Sequence, residues 1–221
     1  MPGFSSANDR WFYSGTATLL ASVIFAGFAP TFFARSADLA PLQIVALVHG
    51  VAGTSWLALF VVQAWLVTAD RRALHRRLGV LGAALAAVFV LSAGGVIANV
   101  ERGHVYDTAG TLAAHAFANG APTAAFGVLV ALGIWQRQTP ARHKRLMLLA
   151  AIALLPPGTG RLFGHFDLSS WNVPVYFCAL FLNAAYDGIV YRRVHPVSWI
   201  GALALVAIEI GTDWWLAVIG S

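Results

Sequence analysis

Apolar stretches follow one another along almost the whole chain, interrupted only by short polar turns. Runs of roughly 18 or more apolar residues read as membrane-spanning helices. Charged residues make up only 10% of the 221 residues, against about 25% in a soluble domain, too few to cover a water-facing surface. The expected fold class is therefore all-α, a polytopic membrane protein folded as a single domain over 1–221. Seven spans are predicted: about 11–33, 43–68, 78–100, 112–136, 146–167, 173–193 and 198–220. At about 1.5 Å rise per residue each can cross a ~30 Å hydrocarbon layer. Short linkers make successive helices antiparallel neighbours. A cleavable leader is not expected, because Arg10 alone precedes an apolar run too long for a signal core.

Lys and Arg give the expected direction. Arg10, the turn with Arg71, Arg72, Arg76 and Arg77, the turn with Arg137, Arg142, Lys144 and Arg145, and the turn with Arg192 and Arg193 fall on one side. The opposite loops hold Arg35 and Arg102. Eleven against two predicts a cytoplasmic N-terminus and a periplasmic C-terminus by the positive-inside rule. Trp65, Trp135, Tyr191 and Trp199 should line the cytoplasmic boundary, and Trp171, Trp214 and Trp215 the other. The basic clusters should face anionic lipid headgroups, as should Asp187 through Arg192. Clustering in turns, at a net charge of +5, does not make a nucleic-acid surface. A lone Cys178 excludes an intramolecular disulfide and a cysteine-based zinc or iron–sulfur site.

Two of the basic turns carry a histidine before an apolar run: "RRALHRRLG" with His75 and "ARHKRLMLLA" with His143. A third, "YRRVHPVSW", holds His195. Spans two and three, four and five, and six and seven thus read as three diverged hairpins. His49 to His75 and His115 to His143 leave 25 and 27 residues between, a weak repeat.

Depth sorts the remaining polar residues into a layer in the outer half: His49, His115, Asn119, Arg161, His165, Glu209 and Asp213. Ionisable groups inside a membrane are costly and point to function. Two histidines at equal depth on parallel helices suit bis-histidine haem b, here His49 and His115. His49, His115 and His165 would instead supply three nitrogens to copper or zinc. His75 and His143 form a second, inner pair, and the two pairs together would make a transmembrane electron path. Bland alternatives stand beside each reading. Arg161 and Asp213 pair across helices, His49 bonds across the Gly50/Gly53 face, His165 is solvated, His75 and His143 cap helices or meet lipid phosphate, and no cofactor is bound.

Gly120-Ala121-Pro122 in span four and Pro156-Pro157-Gly158-Thr159-Gly160 in span five are expected to kink or break their helices. A half-helix starting near Thr159, beside Arg161, would point its positive end inward. Such interrupted spans mark transporter sites, although proline kinks also serve packing alone.

Several stretches together resemble a family of uncharacterised bacterial inner-membrane proteins, a domain of unknown function. They are "GFAP" (Gly27–Pro30), His49-Gly50, Gln63 with Leu66-Val67, "LHRRLG" (Leu74–Gly79), "HKRLMLLA" (His143–Ala150), Arg161 and "VHP" (Val194–Pro196). The resemblance spans nearly the chain and implies a multi-pass protein of the bacterial cytoplasmic membrane, with no activity attached.

Three functions stay open at this level. The first is a haem- or metal-binding electron-transfer protein with quinone or another redox partner. The second is a small transporter or channel built on the interrupted helices, with Arg161, Glu209 and Asp213 in the path. The third is a non-catalytic subunit or assembly factor of a larger membrane complex. No nucleotide loop or nucleophile motif marks an enzyme, and whether the chain is one stays open.

Overall fold

The computed structural model describes residues 8–35, 42–102 and 109–219; the side chains of His115, Asn119, Asp213 and Trp215 lie outside the described ones. Among the described residues the chain is all helix, without a strand. α1 (Asn8–Phe28) runs into a π-helical turn (Ala29–Phe33) and is followed by α2 (Ile44–Thr68), α3 (Arg72–Arg102) and α4 (Ala109–Trp135). Then come α5 (Pro140–Ala153), α6 (Leu155–His165), a 3₁₀ turn (Ser169–Trp171), α7 (Asn172–Leu180), α8 (Leu182–Tyr191) and α9 (Pro196–Ile219). Five helical stretches are long and apolar enough to cross a membrane: Asn8–Phe33, Ile44–Thr68, Arg72–Ala98, Pro140–His165 and Ser169–Tyr191. Gly120–Trp135 and Pro196–Thr212 are shorter apolar helices within the described residues.

α2 packs along α3, α4 along α5, and α1 against both α2 and α6, while α9 leans on α4 and α5. The centre is α5. Its residues Leu148 to Ala153 are all fully buried, on every side of the helix. A helix apolar all round belongs inside. Trp56, Phe89 and Phe126 join α2, α3 and α4 edge to face, at 4.7 and 5.3 Å between ring centroids. The outer faces show bare Ile44, Val80, Leu91, Ile189 and Ile200, apolar surface of the kind that lipid covers. Trp65, Trp135, Trp171, Trp199 and Trp214 are exposed as interfacial anchors should be; Tyr191 instead turns inward.

α3 and α5 begin six residues before the predicted spans, at Arg72 and Pro140. Hydropathy stops at the first arginine, but Arg and Lys are good helix formers and proline is favoured in a first turn. The two histidines therefore lie inside their helices, each as the fourth residue.

The double proline also acts locally. The helix breaks at Leu154, and Pro156 and Pro157 fall in the first turn of α6, where their missing N–H groups cost little. The new helix starts at Leu155 rather than near Thr159. The buried Thr159 hydroxyl folds back to the carbonyls of Leu155 (3.0 Å) and Pro156 (3.4 Å) and also bonds Asn172. α1 lies directly against this turn. A Cβ on Gly27 would collide with the carbonyl of Gly158, and one on Gly158 would sit 2.9 Å from the Ile24 Cα. Backbone thus fills the break, as the packing alternative for the proline kink expects. In α4, Pro122 is carried inside a continuous helix.

Candidate functional site

One end of the bundle gathers the start of α1 and the α2–α3, α4–α5 and α8–α9 turns. Thr68 at the end of α2 donates to the Arg10 carbonyl (3.1 Å), and its hydroxyl meets Ser14 at 2.7 Å. This is the basic end predicted from the arginine count. Its basic residues do not share one environment.

Arg145 is fully buried, as is Asp187. All three guanidinium nitrogens are bonded: Nε to Asp187 Oδ2 (3.0 Å), Nη2 to Asp187 Oδ1, and Nη1 to the Ala141 carbonyl (2.7 Å). Asp187 Oδ2 also accepts from the Ser198 hydroxyl (2.5 Å) and the His195 backbone N–H (3.1 Å). The carboxylate expected among the headgroups is instead the interior clamp of α5, α8 and α9. Beside it, Asp9 pairs with Lys144 and accepts from the hydroxyls of Tyr186 (2.9 Å) and Tyr191 (2.6 Å). Lys144 also lies over the Tyr13 ring at 5.2 Å. Tyr13 donates to Asn183 Oδ1 (3.1 Å), and Asn183 returns to the Arg145 carbonyl (3.4 Å). Buried charges are tolerated when paired and bonded in this way. His195 is buried at the rim of this cluster, and its Nδ1 accepts from the Val197 N–H (3.1 Å). Burial first, and then the positive charge of Arg145, hold its imidazole below its ordinary pKa.

The second cluster is the histidine pair. His75 and His143 bring their rings to 6.2 Å between centroids, with planes at 89°. Each is held by a carbonyl near the end of the preceding helix: His75 Nδ1 on Gln63 (3.3 Å) and His143 Nδ1 on Gly133 (2.8 Å). Gln63 Nε2 donates back to the His75 carbonyl at 3.1 Å. Gly133 lies in the last turn of α4, where carbonyls lack helical partners and a histidine can serve them. The same contact in both hairpins gives the weak sequence repeat a structural form. A carbonyl acceptor fixes the proton on Nδ1, so each Nε2 keeps its lone pair, and among the described residues neither Nε2 has a hydrogen-bond partner. Metal-ligating histidines are oriented by just such a carbonyl.

Of the expected outer layer, the described members His49, Arg161 and His165 make local contacts. His49 stacks on Phe89 at 4.2 Å, and its Nδ1 meets the Phe89 carbonyl (3.0 Å) and the Ser92 hydroxyl (3.2 Å). Arg161 bends back to the Pro157 carbonyl (2.8 Å) over the Phe28 ring. His165 is exposed beside Phe166. Glu209 is half-buried, within electrostatic reach of Tyr176. Among the described residues no three of His, Cys, Asp and Glu are placed to hold a metal. The side chains of His115, Asn119 and Asp213 lie outside the described residues, and with them the His49–His115 pair and the Arg161–Asp213 contact.

Asp9, Arg145 and Asp187 were not legible as a site. The one available signal was two carboxylates, Asp9 and Asp187, and three tyrosines placed at the basic ends of the first and sixth spans. No family model, curated protein or solved structure matches this chain.

Proposed function

We propose that this chain is a seven-span protein of a bacterial cytoplasmic membrane, N-terminus inside, that holds a redox-active haem b or metal ion between His75 and His143. The carrying observation is the pair itself: two imidazoles 6.2 Å apart, each locked through Nδ1, each with Nε2 open. α4 and α9, at 27 and 24 residues, supply the sixth and seventh spans. The concentration of basic turns at one end supports this direction. The pair would then lie at the cytoplasmic rim, within reach of a soluble or membrane-bound electron partner such as a quinone. The ligand assignment moves from His49 and His115 to the inner pair, because the rings of His75 and His143 lie close together among the described residues. The transporter reading is weaker, since α1 backbone fills the break that would have formed its site.

The test is an absorption spectrum of detergent-purified protein, oxidised and reduced, with metal analysis of the same sample. A bound haem or metal that is lost in His75→Gln and His143→Gln, and kept in His49→Gln, is the expected result. A folded wild-type protein that takes up neither haem nor metal, when both are supplied, overturns the reading.

A further inference from the structure

We infer that the group held by His75 and His143 is a single cuprous ion in near-linear coordination; this rests on the reading of the pair as a ligand site. Spacing is the first argument. A metal–imidazole bond of about 2.0 Å places the ring centroid roughly 3.2 Å from the metal. Tetrahedral ligation would then hold two centroids roughly 5.2 Å apart, and linear ligation roughly 6.4 Å. With both Nε2 atoms turned to one ion, the 6.2 Å separation lies near the linear limit. Zinc in protein sites is tetrahedral and would draw the rings closer together than this. Cuprous copper, a closed-shell ion, readily accepts two nitrogen donors in a line.

Donor number is the second argument. Among the described residues no third His, Cys, Asp or Glu joins the pair. Two donors are few for zinc or cupric ion but enough for cuprous copper.

Charge is the third. Arg76 and Arg77 follow His75, while Arg142 precedes His143, all three exposed. A monovalent ion meets less repulsion from this rim than a divalent one.

Space is the fourth. A porphyrin needs an open slot around its metal. One turn inward from His143 the seam is packed: a Cβ on Gly133 would meet the Met147 sulfur at 2.8 Å, while one on Gly79, beside His75, would make ordinary contact with the Gln63 amide at 3.7 Å. A bare ion requires no slot. Cupric copper prefers tetragonal surroundings, so two ligands in a line favour the reduced form and set a high potential.

The experiment supplies cuprous ion under ascorbate to the full-length protein in detergent, then measures copper, zinc and iron content and the copper K-edge spectrum. One copper per chain with a two-coordinate cuprous edge is expected. Copper should fall by more than about tenfold in His75→Gln and His143→Gln and be kept in His49→Gln. His143→Met, which restores a soft donor, should recover binding in a protein whose elution and helicity match wild type. Three or more ligands in the copper spectrum, or zinc displacing copper, would overturn the cuprous assignment. So would a Soret band that depends on His75 and His143, although the pair would then still stand as the ligand site. Wild-type protein that binds neither copper, zinc nor haem would overturn both.

Discussion

Two polar clusters share the short stretch from Ala141 to Arg145, and they differ in what is left over. Arg145 has every nitrogen bonded, and its Asp187 partner accepts from two further groups, the Ser198 hydroxyl and the His195 N–H. His143, two residues earlier, spends one nitrogen on Gly133 and leaves the other uncommitted, with the His75 ring 6.2 Å away. A saturated buried ion pair is a structural clamp, whereas an oriented but uncommitted donor pair is a site. One turn of one helix thus serves both purposes. The chain that fixes the clamp also fixes the angle at which the histidine is presented.

The largest effect should come from breaking the clamp halfway. Asp187→Ala leaves a buried guanidinium unpaired and should cost about 3–5 kcal/mol, read from unfolding in detergent. Replacing both partners, Arg145→Met with Asp187→Leu, should recover most of that loss, since well-packed apolar pairs substitute for buried ion pairs. If the double variant is as unstable as the single one, the pair does more than neutralise itself. Next, Gly158→Ala forces a methyl into the α1 backbone and should cost about 1–3 kcal/mol in the same assay. Gly15→Ala, with open space around it, is the matched control and should leave stability within about 0.5 kcal/mol.

A smaller effect should follow pH. His195 is held below its ordinary pKa by burial and by Arg145, against the opposing pull of Asp187, with Arg142 and Lys144 adding to the depression. The unfolded chain therefore takes up this proton first as pH falls. Stability should be full above about pH 6.5 and decline below it, down to the folded value, where the slope ends. His195→Gln should flatten that slope; an unchanged slope would assign it to other groups. The smallest effect on stability belongs to the site. His75→Gln and His143→Gln remove a single hydrogen bond each and should cost roughly 1 kcal/mol without a cofactor. Losses on the scale of Asp187→Ala would make the histidines part of the clamp and dissolve the contrast.

The helices and the basic end were readable because hydropathy and charge act locally. Boundaries at Arg72 and Pro140 were missed because a helix can outrun the apolar stretch that reveals it. The clamp was hidden for a different reason. Asp9, Arg145, Asp187 and Ser198 lie on four segments, and only folding shows that Arg145, one of eleven residues consistent with a topology signal, turns away from the headgroups. Lys144 does the same toward Asp9. α5 is apolar and buried on every side from Leu148 to Ala153, so periodicity could not say which way its first turn faces. The inner histidines were legible as a motif, but their convergence depends on α3 and α5 presenting the same fourth residue to one seam.

The central claim is that the uncommitted nitrogens of His75 and His143 bind one group together. Its most direct measurement is the haem and metal content of purified wild-type, His75→Gln, His143→Gln and His49→Gln proteins, prepared with haem and copper both supplied. The account predicts a bound group in wild type and His49→Gln, and its loss to a similar degree in each of the other two. Equal content in all four proteins, or loss only in His49→Gln, would contradict it.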